Sequence, residues 1–248
     1  VELGPTLRKL VTAARFNPSL PYLSFLCINF DAPVIKEAAS WFLDGVFLNY
    51  NSSYLERMLE QLLDEAESPE VTRFLRAVDV RIDGFRVEKA PEWRGQRVFV
   101  RHEVDGKGYE LRLSEESAGT QKLMGLAAYL MTALERGATV VVDELDAKLH
   151  PKLLRYVILL FKDPEVNKSG TQLIFSSQDV STMRNDVFRR DEIWFAARGE
   201  GEASQLWSLA DIHEANGNLV SKNAAFDKQY LSGRYGADPY LTRIEEWD

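Results

Sequence analysis

The chain holds a single cysteine, Cys27, and only three histidines, His102, His150 and His213. One thiol makes neither an internal disulfide nor a thiolate zinc cluster, and histidines this scattered give no metal-ligand spacing. Cys27 is therefore expected to be a small buried apolar residue. No apolar run approaches the roughly 20 residues of a membrane-spanning helix, and no charged-then-apolar leader is present. The expectation is a cytoplasmic protein with no membrane partner. Positive charge is not in excess: 30 Lys and Arg face 38 Asp and Glu, a net of −8. That excludes a surface basic all over for nucleic acid, but not a local basic groove. Also missing is the phosphate-cradling pattern G-x-x-x-x-G-K-[S/T]. The only Gly-Lys pair, Gly106-Lys107, is followed by Gly108, and Arg101 stands where the first glycine would be needed. The first residue is valine, which suggests a piece of a longer chain.

What is present is ordinary globular composition, 45% hydrophobic and 27% charged, enough to bury a core without staples. The region from Tyr22 to Phe30 is aromatic and apolar after Pro21, and its pattern leaves strand and loop both open. Between Ser53 and Glu65, Leu55, Met58, Leu59, Leu62 and Leu63 recur at helical spacing. Ser68 and Pro69 read as the cap and first position of a second helix, with Val71, Phe74, Leu75 and Val78 inward. Arg97–Glu103 and Tyr109–Leu113 read as strands joined by a turn at Asp105-Gly106. Thr120–Leu134 reads as a helix with Leu123, Leu126, Ala127, Leu130, Met131 and Leu134 on one face. Ala138–Val142 and Gln172–Phe175 are short unbroken runs of the kind buried on both faces of a parallel sheet, with a helix from Pro151 to Phe161 between them. Glu192–Ala196 and Gln205–Leu209 flank Gly199–Gly201 as a hairpin, and the tail with Gly233, Gly236 and Pro239 is loop-rich.

This order predicts an α/β fold, mainly parallel buried strands flanked by helices, with a small helical and hairpin side lobe. Two regions follow: 1–113, a partial N-terminal region with the helical lobe (about 53–78) and hairpin (about 97–113), and 114–248, the α/β lobe.

The sharpest chemical signal is Thr139-Val140-Val141-Val142-Asp143-Glu144. Two acids ending a hydrophobic strand lie at the carboxyl edge of a sheet, where α/β proteins place ligands. The first acid can hold magnesium and the second can polarise a water for attack on a γ-phosphate. By itself the pattern fits a solvated strand end equally well. Twenty-six positions before Asp143 stands Ser117-Ala118-Gly119-Thr120-Gln121, ahead of an amphipathic helix. A helix N-terminus with a close-approach glycine suits an anion, although a plain cap fits the same residues. After the acids come Leu145-Asp146, then Leu149-His150-Pro151, and later the strand ending Ser176-Ser177-Gln178-Asp179. Order and spacing together are what make the set specific.

The set, Ser-x-Gly-x-Gln, a Val-rich strand with Asp-Glu, then Leu-Asp and Leu-His-Pro, resembles the ABC/SMC-like branch of P-loop ATPases. More narrowly it is similar to bacterial AAA-type ATPases related to the OLD and RecF groups, many tied to phage defence or abortive infection. The likeness runs from Glu116 to Leu209, and Tyr230–Ala237 resembles the family's C-terminal segment. The resemblance implies an ABC-type P-loop fold with ATP and Mg2+. It places Ser117, Gly119 and Gln121 in the signature that meets a nucleotide held by the opposite subunit. It gives Asp143 the magnesium, makes Glu144 the catalytic carboxylate, puts Asp146 in the D-loop, and sets Gln178 where the family has a switch histidine. A glutamine hydrogen-bonds but carries no proton or charge, so slow or differently gated hydrolysis is expected. The resemblance further implies a homodimer sandwiching ATP head-to-tail, with nucleic acid or an effector nuclease or toxin as further partner classes. In this family the phosphate loop, Walker A, precedes these motifs, so it is expected upstream of Val1. The 248 residues alone are then expected to bind ATP weakly or not at all.

Two other functions compete. A non-catalytic dimerisation or interaction module is favoured by Gln178 and by the missing loop. A metal-dependent nuclease using Asp143, Glu144 and Asp146 with two magnesium ions fits less well, because the acids read Asp-Glu-Leu-Asp. Among other residues, Glu115-Glu116 are expected to be a solvated pair and His102 to point from a strand surface. His150 is expected to fix a helix start, Arg184, Arg189 and Arg190 to form a surface ion network with Asp191, and Trp194 and Trp207 to fill core.

Overall fold

A computed structural model describes residues 21–49, 69–78, 82–89, 96–198, 203–214 and 217–237. In chain order these form α1 (Tyr22–Asn29), α2 (Pro33–Asp44), β1 (Val46–Asn49), α3 (Pro69–Ala77), β2 (Gly84–Lys89), β3 (Gln96–Val104) and β4 (Lys107–Arg112). There follow α4 (Ala118–Arg136), β5 (Thr139–Val142), α5 (Pro151–Lys162), β6 (Gln172–Phe175), β7 (Trp194–Arg198), β8 (Ser204–Ser208) and α6 (Phe226–Leu231). The predicted helix over 53–65, the Ser68 cap, the Gly199–Gly201 turn and Pro239 lie outside the described residues.

The valine run of β5 occupies the middle of a parallel sheet in the order β1-β5-β6. Thr139 stands opposite Val46 on one side and Gln172 on the other. Branched side chains suit this position because they pack on a pleated surface with little rotamer freedom to lose. Val140 and Val142 are buried, while Val141 is half-buried. Parallel neighbours require a crossover, which α5 supplies between β5 and β6. His150 caps α5 as expected, its Nδ1 accepting from the Lys152 N–H at 3.2 Å, with Pro151 at the first helical position. Asn167 then fixes the return to β6: its amide donates to the carbonyls of Phe161 and Thr171, both at 2.8 Å, and its oxygen accepts from the Thr171 N–H at 2.7 Å.

β6 departs from the expectation of a strand buried on both faces. Ile174 is 56% exposed, whereas Leu173 and Phe175 pack on the core. The strand, last in the sheet among the described residues, thus alternates between a covered face and an open one.

Helix α4 is more deeply set than one apolar face predicts. Leu123, Leu126, Ala127, Leu130 and Leu134 are buried, but so are Met124, Ala128, Tyr129 and Ala133; Met131 is only half-buried. The helix has neighbours on several sides. It starts at Ser117, whose Oγ accepts from the Thr120 N–H at 3.1 Å, and stops at Gly137 with φ +68°. A β-carbon on Gly137 would also fall 2.6 Å from the Ser169 carbonyl oxygen, so glycine is required twice over.

The strands β2, β3 and β4 form an antiparallel sheet, with Asp105-Gly106 turning β3 into β4 and both residues at positive φ. The Gly106-Lys107 pair belongs to this turn. Neither β1 nor β2 was predicted from the pattern. The inward side chains Phe85, Val98 and Val100 share one core with Val71, Phe74, Leu75 and Val78 and with α4 and β5.

At the other end β7 and β8 form the expected hairpin. Phe195, Leu209, Val220, Phe226 and Tyr235 make a second apolar cluster, and Phe188 packs against both clusters. Burial pushes the Tyr235 phenol up to about 12, and its Oη lies 2.7 Å from Gln229 Oε1. Three expectations are corrected. Tyr22–Asn29 is a helix, with Phe25 and Leu26 buried. Cys27 on that helix is half-buried, because the buried face is set by Phe25 and Leu26. Trp194 is 58% exposed, since alternation along β7 turns Phe195 inward instead; Trp207 does join the second cluster.

Candidate functional site

The carboxyl ends of β5 and β6 lie side by side, and the polar residues following them interlock. The Ser176 N–H donates to the Val142 carbonyl and the Leu145 N–H to the Ser176 carbonyl, both at 3.0 Å. Ser176 Oγ donates to Asp143 Oδ1 at 2.5 Å and accepts from the Glu144 N–H at 2.8 Å. One hydroxyl therefore orients the first acid by its side chain and the second by its backbone. Ser176 has no role legible in the sequence alone; its one signal there is a hydroxyl directly after a strand parallel to the acid-bearing one.

Glu144 adopts φ +49°, a left-handed conformation that costs a non-glycine residue about 1 kcal/mol or more. Its neighbour Leu145 is fully buried and pins the turn to the core. The chain stays tightly wound to Lys148, also left-handed at φ +63°. Gln178 reaches this loop from the β6 side. Its N–H donates to Asp146 Oδ1 at 3.3 Å, and its side-chain amide approaches Glu144 Oε1 at 3.5 Å. Asp143, Glu144 and Gln178 are exposed, and Asp146 is half-buried.

Helix α4 brings the serine–glycine turn to the same loop. A β-carbon on Gly119 would lie 3.1 Å from the Lys148 carbonyl oxygen, a tight approach that glycine relieves. Ser117 is exposed at the helix start, its hydroxyl 2.9 Å from that of Thr120. Gln121 turns away from the acids, donating to the carbonyls of Glu116 at 2.8 Å and Ser114 at 3.4 Å. Lys122, unremarked in the sequence, donates to the Glu144 carbonyl at 2.7 Å. Burial lowers the pKa of this ammonium, opposed by the charges of Asp146 and Glu144 and assisted by that of Lys148.

Just before the turn, one expectation fails. Glu116 is not solvated: its side chain is 10% exposed and lies 2.6 Å from His102 Nε2, itself drawn in from the strand surface. Two polar groups buried this far need each other's hydrogen bond. Glu115 is exposed and accepts from the Arg112 N–H at 2.9 Å. The expected arginine network around Asp191 is reduced to one member: Arg189 pairs with Asp191 and Glu192, whereas Arg184 pairs with Asp186. Arg190 instead donates to the Val220 carbonyl.

A carboxylate beside a hydroxyl at an open sheet edge is a hard-oxygen donor set of the kind that suits magnesium when phosphates and water complete the shell. Among the described residues no group of three His, Cys, Asp or Glu is placed to hold a metal by itself. The two-magnesium nuclease arrangement on Asp143, Glu144 and Asp146 therefore gains no support. Among the same residues no helix is long and apolar enough to cross a membrane.

The family model described as "AAA domain, putative AbiEii toxin, Type IV TA system" matches residues 17–184. No curated protein matches the chain. A solved structure described as "Structural biochemistry of ATP-driven dimerization and DNA stimulated activation of SMC ATPases" is 14% identical, covering 77% of this chain and 100% of its own, with a TM-score of 0.45. That likeness is too loose to bear on function. The family match spans well over half of the residues, and the parallel β1-β5-β6 sheet with its flanking helices is compatible with a P-loop fold. The chain belongs to this family of AAA-domain ATP-binding ATPases.

Proposed function

We propose that this chain is the signature and catalytic-carboxylate side of an ATP-driven switch. Two copies would clasp nucleotide head-to-tail, Ser117 and Gly119 of one copy facing the γ-phosphate held by the other. Asp143 would hold the magnesium that accompanies ATP, and that ion would supply charge neutralisation at the phosphates. Glu144 would orient and polarise the attacking water, Gln178 would sense the γ-phosphate through its amide, and Asp146 would lie where the two copies cross. The phosphate-cradling loop is not within the 248 residues. A toxin-linked output draws support from the family description, which names a putative toxin.

The observation that carries the proposal is the convergence on one loop, 143–148, of the acid-bearing strand end, Gln178 and the glycine turn of α4. Steady-state ATP hydrolysis by the natural protein carrying these residues tests it. Glu144→Gln is expected to lower kcat by about a hundredfold or more, within the range for loss of general-base catalysis, while ATP-dependent dimers persist in light scattering. Hydrolysis unaffected by Glu144→Gln would overturn the catalytic assignment. The non-catalytic module draws on Gln178, whose amide cannot shuttle a proton. Dimers that form with ATP in a wild-type protein that never turns it over would establish that reading instead.

A further inference from the structure

The left-handed turn at Glu144 is held from outside its own loop by a cation. Lys122 stands in the second turn of α4, and its ammonium donates at 2.7 Å to the Glu144 carbonyl, which also accepts the Ala147 N–H at 3.0 Å. The carbonyl of a residue at φ +49° is thus satisfied twice, once by the loop and once by the helix that begins at the serine–glycine turn. On the opposite side of the same peptide segment, the Glu144 N–H is held by Ser176 Oγ at 2.8 Å. Glu144 is therefore gripped through its backbone at both ends, and its side chain is free to face Gln178. A surface lysine serving only solubility would not be drawn into a site where burial works against its charge.

We infer that Lys122 is a positioning residue for Glu144, tying the α4 helix that carries the serine–glycine turn to the turn that aims the carboxylate in the same copy. This inference rests on the ATPase reading above. A charge-assisted hydrogen bond to a carbonyl is directional and stronger than a neutral one. It opposes relaxation of the left-handed turn, and relaxation would swing the carboxylate off line. Because a small misplacement of a catalytic group costs rate far more than affinity, loss of the ammonium appears in kcat.

The test compares Lys122→Met, which keeps the apolar stem and removes the donor, with Lys122→Arg, which keeps a cationic donor. Both are made in the natural protein alongside wild type and Glu144→Gln, and kcat, KM for ATP and the thermal unfolding midpoint are measured for each. The expected result is a fall in kcat of about ten- to a hundredfold for Lys122→Met, with KM within about threefold of wild type, and recovery of most of the rate in Lys122→Arg. A kcat unchanged in Lys122→Met, with Glu144→Gln inactive, overturns this inference and leaves the ATPase reading standing. A rate lost equally in both lysine variants along with the unfolding midpoint also overturns it, since the lysine is then part of the packing alone. A wild type without ATPase activity, or one indifferent to Glu144→Gln, overturns both.

Discussion

Ser176 is the residue on which the two acids depend most directly. Its single proton goes to Asp143 Oδ1, and its lone pair receives the Glu144 N–H. Removing the hydroxyl leaves both groups at an exposed rim where water can replace it, so Ser176→Ala is expected to cost folding only about 1 kcal/mol. The larger effect is expected on the metal: the magnesium concentration giving half-maximal hydrolysis in the natural protein should rise several-fold, and Ser176→Thr should restore it. An identical magnesium dependence in Ser176→Ala would mean the hydroxyl does not set the orientation of Asp143. Gly119 and Gln121 divide differently. The glycine is needed for the close approach to Lys148, whereas the Gln121 amide is spent on the carbonyls of its own turn.

At the scale of elements, α5 is secured by a charge cluster with the short turn at Arg190–Glu192. Lys162 Nζ lies 2.6 Å from Glu192 Oε2, and Arg189 lies 3.1 Å from Oε1. Burial pushes the Glu192 carboxyl up, but the bonds from Lys162 and the Arg189 N–H together with the two positive charges outweigh it, leaving the pKa below its ordinary 4.5. A depressed folded value means stability that is complete above the unfolded pKa and lost as pH falls through the folded one. Lys162→Met is therefore expected to be less stable than wild type by on the order of 1 kcal/mol at neutral pH. Urea midpoints from pH 7 to pH 3 should show that difference shrinking toward the acid end. The elements themselves were legible where a local rule governs them. Asp105-Gly106, the valines of β5 and the His150-Pro151 start each announce their structure. The short strands β1 and β2 did not, because neither has the unbroken valine run of β5 or the Asp-Gly turn that marks β3 and β4, and the helix at Tyr22–Asn29 has apolar residues all round. Ile174 was misplaced because nothing within β6 states how many neighbours it has. The loop acids and Gln178 were visible as motif residues, whereas Ser176, Lys122 and the His102–Glu116 pair emerge only when strands and helix are brought together.

For the molecule as a whole, the question is how many parts unfold separately. Val100 of the antiparallel sheet, Leu75 of α3, Leu126 of α4 and Val140 of the parallel sheet lie in one apolar cluster, all fully buried. Val100→Ala is expected to destabilise by roughly 2–3 kcal/mol. If the chain unfolds as a unit, far-ultraviolet circular dichroism and the fluorescence of tryptophans such as Trp207, in the second cluster, will move to lower urea together. Separated transitions would show that the C-terminal hairpin keeps its own stability. Phe188 bears on the same issue. Its ring lies 6.2 Å from that of Phe175, at the end of β6, and the Lys162 ammonium sits 4.9 Å from its centroid. A ring lodged in two clusters acts as a rivet, because neither plate can slide without shearing it. Any displacement that begins at Gln178 therefore reaches, ten residues further along, a ring shared by both clusters, and the C-terminal hairpin is expected to travel with the sheet.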